Sequence, residues 1–157
     1  MSSQHLNHLH LDVVGGIAGD MFAAAILDLQ PELQAEVDSM LSATGLIDMV
    51  NIRRYDHSDG MLTGSRVSVV PVSAPAHHHR AWRDIREMIA SMELSDSARS
   101  CSIDIFSRLA EAEGRVHGKP TDDVSFHEVG AWDSIADIVV AGWLVDRLSP
   151  LTWSCSA

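Results

Sequence analysis

The stretch Asp12-Val13-Val14-Gly15-Gly16-Ile17-Ala18-Gly19-Asp20 constrains this chain most, because three glycines fall within five residues between an apolar run and a strong helix former. Glycine reaches backbone conformations closed to other residues, so the run marks a tight turn. Ahead of it, His8 to Val14 is rich in apolar residues and predicts a short buried strand. Behind it, Met21 to Leu29 predicts a helix with Asp20 as its N-cap. A glycine turn that opens a helix aims backbone N–H groups at an anion. The flanking carboxylates of Asp12 and Asp20 favour instead a cation, or a cation bridging to phosphate. Asp12 and Asp20 are therefore candidate catalytic residues, and Gly15, Gly16 and Gly19 candidate cofactor-binding positions. The pattern is neither a P-loop nor a full dinucleotide fingerprint, and a plain tight turn capped by an aspartate explains it equally well.

The remaining elements follow from periodicity and punctuation. Pro31 suits the first turn of a helix running to about Ser42, with Leu33, Val37 and Leu41 on one face and Gly45 closing it. Val50 to His57 and Leu62 to Val72 read as strands joined at Ser58-Asp59-Gly60, a hairpin signal. Pro71 to Ala76 breaks the pattern and leads into His77-His78-His79, which places that triplet on a loop. Trp82, Ile85, Met88, Ile89 and Met92 then recur at helical spacing. Ser95 caps a longer helix whose apolar stripe is Ala98, Cys101, Ile105, Leu109, Ala112 and Val116, and Gly118-Lys119-Pro120 stops it. A last helix runs to about Leu148, and Trp153 to Ala157 starts a further strand. Trp82, Trp132 and Trp143 read as core anchors. The expectation is an α+β fold: a small mixed sheet, made from the first strand, the central hairpin and the last strand, covered by several helices. The alternation of strands and helices leaves an α/β sheet as the alternative. Residues 1–157 read as a single N-terminal domain, with the final strand cut short as in a truncated or split version of a longer protein.

Composition removes several function classes. The formal net charge is −11 with histidine neutral. An acidic surface repels nucleic acid and anionic lipid, so neither a nucleic-acid nor a membrane partner is expected. Cys101 and Cys155 stand far apart, outside any CxxC spacing, which argues against a disulfide framework or a thiolate zinc site. No apolar run reaches transmembrane length, and the N-terminus lacks a signal-peptide pattern. These features together predict a cytoplasmic protein. A homo-oligomer is compatible with all of them.

Histidine is the unusual component, with nine in 157 residues. Imidazole is the commonest neutral metal ligand near physiological pH. Two of His77, His78 and His79 can share a borderline divalent ion such as nickel, copper, zinc or cobalt. Against this, a solvated loop with adventitious affinity has the same sequence. Glu113 and His117 are spaced i and i+4, so both can reach one metal, although a surface pair with His117 near a helix C-terminus has the same spacing. Farther on, His127 and Glu128 stand at a helix start. Asp133 and Asp137 share a helix face, where they repel unless a cation or histidine relieves them. The candidate metal ligands are thus His77, His78, His79, His117, His127, Glu128 and Asp133, with His127 and Glu128 also candidates for catalysis.

Several segments in order resemble one family. They are Leu11-Asp12 through Gly16-Ile17-Ala18-Gly19-Asp20-Met21, the His77-His78-His79-Arg80 loop with Asp84-Ile85, Phe106-Ser107-Arg108-Leu109-Ala110-Glu111-Ala112-Glu113 with Val116-His117-Gly118, and Phe126-His127-Glu128-Val129-Gly130-Ala131 with Asp133-Ser134 and Asp137. Together they resemble the nickel-insertion proteins that act on pyridinium-3,5-bisthiocarboxylic acid mononucleotide. At Val13 and Val14 such proteins often carry a cysteine and an aromatic. The resemblance implies insertion of nickel into the precursor of the nickel-pincer nucleotide, the cofactor of lactate racemase. It further implies a nucleoside triphosphate with manganese or magnesium, handled by a C-terminal domain or a second polypeptide. Two readings from other classes compete: a nickel metallochaperone or storage module without chemistry, and a metal-dependent phosphate-ester hydrolase using Asp12, Asp20, His127 and Asp133.

Overall fold

The computed structural model describes residues 7–73, 80–127, 129–149 and 151–156. His77, His78, His79 and Glu128 lie outside the described residues. In chain order the elements are β1 (His8–Leu11), α1 (Gly19–Leu29), α2 (Leu33–Ala43), β2 (Val50–Ser58), β3 (Thr63–Pro71), β4 (Arg80–Ala81), α3 (Trp82–Ser91), α4 (Asp96–His117), β5 (Ser125–Phe126), α5 (Trp132–Arg147) and β6 (Thr152–Cys155). The class is α+β. The strands do not merge into one mixed sheet, however: among the described residues they form three two-stranded ladders, β1 with β6, β2 with β3, and β4 with β5. The first is parallel and the others antiparallel.

The helix signals work as local chemistry predicts. The Ser95 hydroxyl accepts from the Ala98 N–H at 3.0 Å and caps α4, and Gly118 ends that helix in the left-handed region at φ 63°. In the hairpin turn, the Asp59 carboxylate accepts from the Met61 and Leu62 amides at 2.9 and 2.8 Å. Asp20 departs from expectation. Ala18 is the N-cap of α1 and contributes no side-chain bond, and Asp20 lies inside the first turn, its carboxylate taking the Met21 N–H at 2.8 Å.

The stripe expected on α4 needs a correction. Its buried face is Ala98, Ser102, Phe106, Ala110 and Gly114, while Leu109 is 37% and Val116 78% exposed. Where α4 packs closely on α5, around Ala98 and Ser102, small size and not apolar count selects the face. A Cβ added at Gly142 of α5 would stand 2.4 Å from the Ser102 Oγ and 3.1 Å from the Ala98 carbonyl oxygen. The Ser102 hydroxyl is buried yet satisfied, donating to that same carbonyl at 2.9 Å. Strand β1 is also only half as buried as its composition suggests: Leu9 and Leu11 pack on the core while His8 and His10 face out. A two-stranded ladder with one side against the core leaves its other side open.

Helix α5 is the hub. It packs on α4, on α1 and against the β2–β3 hairpin, with Ile135, Ala136, Val139, Val140 and Leu144 buried. Its far end is tied to α2 by a two-pronged Arg147–Glu36 ion pair at 2.6 and 3.0 Å. At the other end of the core, Phe106 has Trp82 stacked at 6.0 Å and Phe126 tilted at 6.1 Å. This aromatic cluster holds α3, α4 and β5 together and fixes where the residue after Phe126 emerges.

Candidate functional site

The glycine turn delivers its chain to α5. Gly15 and Gly16 adopt φ of 84° and 105°, and the Gly16 N–H is spent on the Val13 carbonyl at 2.9 Å. Gly19 serves helix packing: a Cβ there would lie 2.9 Å from the Asp137 Cβ and 3.2 Å from its carbonyl oxygen. That close approach brings Asp20 of α1 toward Asp133 and Asp137 of α5, all three half-buried. The consequence is electrostatic. Burial, then the Asp20 and Asp133 charges, push the Asp137 carboxyl up to about 7. Near neutral pH this junction therefore holds a readily exchanged proton.

Asp20 also borders a wide groove of about 830 Å³ between α1 and the hairpin, whose far wall includes Tyr55, Ser65 and Arg66. Asp28 in that groove is committed, bonded by the Ser65 hydroxyl at 2.6 Å and by Arg54 at 3.2 Å. These bonds hold its carboxyl below the usual range.

A second neighbourhood forms at the end of α4. A cavity of about 280 Å³ is lined by Glu113, His117, Lys119, Val124, Ser125 and His127. The His117 Nε2 is 3.1 Å from the Glu113 carboxylate. His127 enters this wall because β5 pairs with β4, Arg80 opposite Phe126. Thus the residue that follows the histidine triplet is paired directly with the residue that precedes His127. Gly130 permits this crossing, since a Cβ there would sit 3.1 Å from the Arg80 Cβ. The Arg80 guanidinium lies over the Trp132 ring at 4.3 Å, and burial lowers its pKa.

The sequence candidates thus separate into two groups. Asp20 and Asp133 both act on Asp137 at the α1–α5 junction, where Gly19 packs against Asp137. His117 and His127 share the cavity at the end of α4, with Glu113. Asp12 stands exposed just after β1, outside the residues lining either cavity or surrounding Asp137. No three His, Cys, Asp or Glu side chains among the described residues converge in a way that could hold a metal ion. Spacing had paired Asp133 with Asp137, but the third carboxylate, Asp20, was invisible to it; the only hint was a glycine one residue before an aspartate at a helix start.

Comparison with known proteins decides the family. The nickel insertion protein profile matches residues 9–157. The chain belongs to the nickel insertion protein family. Among its relatives, the pyridinium-3,5-bisthiocarboxylic acid mononucleotide nickel insertion protein of Nocardioides sp. is 38% identical over 139 residues, covering 85% of this chain and 34% of its own length. The protein of the same name from Akkermansia muciniphila is 38% identical over 146 residues, covering 87% and 35%. The chain therefore spans about a third of the length of these family members. No solved structure matches it. Within the described residues, no helix is long and apolar enough to cross a membrane, and both cysteines are unpaired.

Proposed function

We propose that this chain forms the metal-handling part of a cytoplasmic machine that inserts nickel into pyridinium-3,5-bisthiocarboxylic acid mononucleotide, the step that matures the nickel-pincer cofactor of lactate racemase. The observation that supports the reading is the β4–β5 pairing, which puts Arg80, next in sequence after the histidine triplet, opposite Phe126, next in sequence before His127 of the cavity shared with His117 and Glu113. In this reading nickel is the cargo. His77, His78 and His79 take it up, and His117, His127 and Glu128 relay it. The Asp20–Asp133–Asp137 junction exchanges its proton for a cation, and Asp12 supplies a further exposed carboxylate just after β1.

The precursor nucleotide occupies the groove between α1 and the hairpin. Arg66 there supplies positive charge for its phosphate, a role for which the glycine turn has already spent the Gly16 amide. Imidazole and carboxylate release nickel to the thiocarboxylate sulfurs and ring carbon of the acceptor because that donor set is the stronger one for this ion. A nucleoside triphosphate with manganese or magnesium acts through a C-terminal domain or a second polypeptide, which corresponds to the part of the relatives that this chain does not span.

The test is anaerobic equilibrium dialysis against nickel, zinc, cobalt and manganese, with wild type beside a triple alanine variant at positions 77–79 and the pair His117→Ala, His127→Ala. The reading expects selective nickel binding that both variants weaken, and binding of the precursor nucleotide by wild type. Nickel binding with no affinity for the nucleotide would make the chain a metallochaperone module instead. Equal nickel binding by all three proteins would remove these histidines from the mechanism.

A further inference from the structure

The outward face of the β1–β6 ladder carries a directed chain of hydrogen bonds that ends on an imidazole nitrogen with no partner among the described residues. The register sets His8 beside Thr152 and His10 beside Ser154. The Thr152 hydroxyl donates to the Asn7 carbonyl at 3.0 Å, which uses its only proton. Thr152 must therefore accept from His8, whose Nδ1 lies 2.8 Å from its oxygen. With His8 neutral and protonated at Nδ1, its Nε2 is an acceptor, and the Ser154 hydroxyl 2.8 Å away donates to it. Ser154 has then spent its proton and accepts from the His10 Nδ1 at 2.7 Å. His10 is left protonated at Nδ1, with the Nε2 lone pair directed outward. This is the less common tautomer of a free imidazole side chain, and the partner on the other nitrogen fixes it.

Such a neighbour is what metal-ligating histidines have: the second ring nitrogen donates to a fixed acceptor, which orients the ring and raises its basicity. We propose that His10 Nε2 is a ligand for a borderline divalent cation of the nickel, cobalt or zinc class, held ready by the Thr152–His8–Ser154–His10 relay. Asp12 is the second donor. It follows two residues on and is likewise exposed, and two residues of extended chain advance about 7 Å, a span that an imidazole and a carboxylate can close around one ion. Water completes the coordination. The site needs neither the histidine triplet nor the cavity beside His127, and its existence does not depend on what the metal is later used for.

The test is long-range proton–nitrogen NMR of the histidine rings in the tag-free chain near pH 7.5, before and after addition of zinc. The expected result is His10 in the Nδ1–H form without metal, and a large movement of its Nε2 resonance at stoichiometric zinc. Ser154→Ala should return His10 to the Nε2–H form and weaken zinc binding at that ring about tenfold, and Ser154→Thr should restore both. Asp12→Asn should weaken binding to a similar degree without altering the tautomer. An Nε2–H tautomer in the wild type would overturn the relay. An Nε2 resonance unmoved by excess zinc would overturn the metal site.

Discussion

Replacing Asp137 with asparagine isolates the electrostatic cost of the α1–α5 junction. In the folded chain this carboxyl titrates at about 7, against an ordinary value of 3.8. Below about pH 4 it is protonated in both folded and unfolded chains, so it contributes no pH dependence. Between about 4 and 7 the folded protein keeps a proton that the unfolded chain has released. Stability therefore falls as pH rises through that window and levels off above it. The full displacement corresponds to a ceiling of roughly 4 kcal/mol. Asp137 is only half-buried, and solvent screening brings the expected effect down to about 1–2 kcal/mol. Asp137→Asn keeps the shape and removes the titration. Its stability relative to wild type should grow by that amount between pH 4 and pH 8, or roughly 2–8 °C in Tm for a chain of this size. Urea denaturation of both proteins in chelator-treated buffer, at half-unit intervals of pH, measures the difference directly. A gap between the two curves that stays constant from pH 4 to pH 8 would refute the argument, because it would mean that burial and the Asp20 and Asp133 charges do not raise the Asp137 carboxyl.

Two packing predictions follow from distances in the core. Gly142→Ala places a methyl group 2.4 Å from the Ser102 Oγ and 3.1 Å from backbone, so α4 and α5 must move apart; a loss of about 1–3 kcal/mol is expected from the urea midpoint. Phe106→Ala empties the centre of the Trp82–Phe106–Phe126 cluster, where Phe106 has no exposure. It should cost about 3–5 kcal/mol, and a change in the near-ultraviolet circular dichroism of Trp82 should accompany it.

Local chemistry was enough to write most of the secondary structure. The Ser95 cap, the Gly118 stop, the Asp59 turn and the 3–4 spacing of Trp82, Ile85 and Ile89 each act within a few residues, so they show in a one-dimensional string. The family was legible for a related reason: short segments in a fixed order survive as sequence. The face that α4 buries was not legible. An apolar count selects Leu109 and Val116, whereas the fold buries Ser102 and Gly114, because how closely two helices approach depends on the glycine that meets them from the other helix. The same holds for the candidate site. Asp133 and Asp137 are neighbours by helix geometry alone, but Asp20 joins them only through the packing of Gly19 on α5. His8 and His10 look like two of nine histidines until β6, from the other end of the chain, supplies Ser154 and Thr152 to orient them. Capping and periodicity are short-range and therefore visible in the chain itself. Desolvation, charge coupling and hydrogen-bond direction depend on partners more than a hundred residues away, and only the folded arrangement brings those partners within reach.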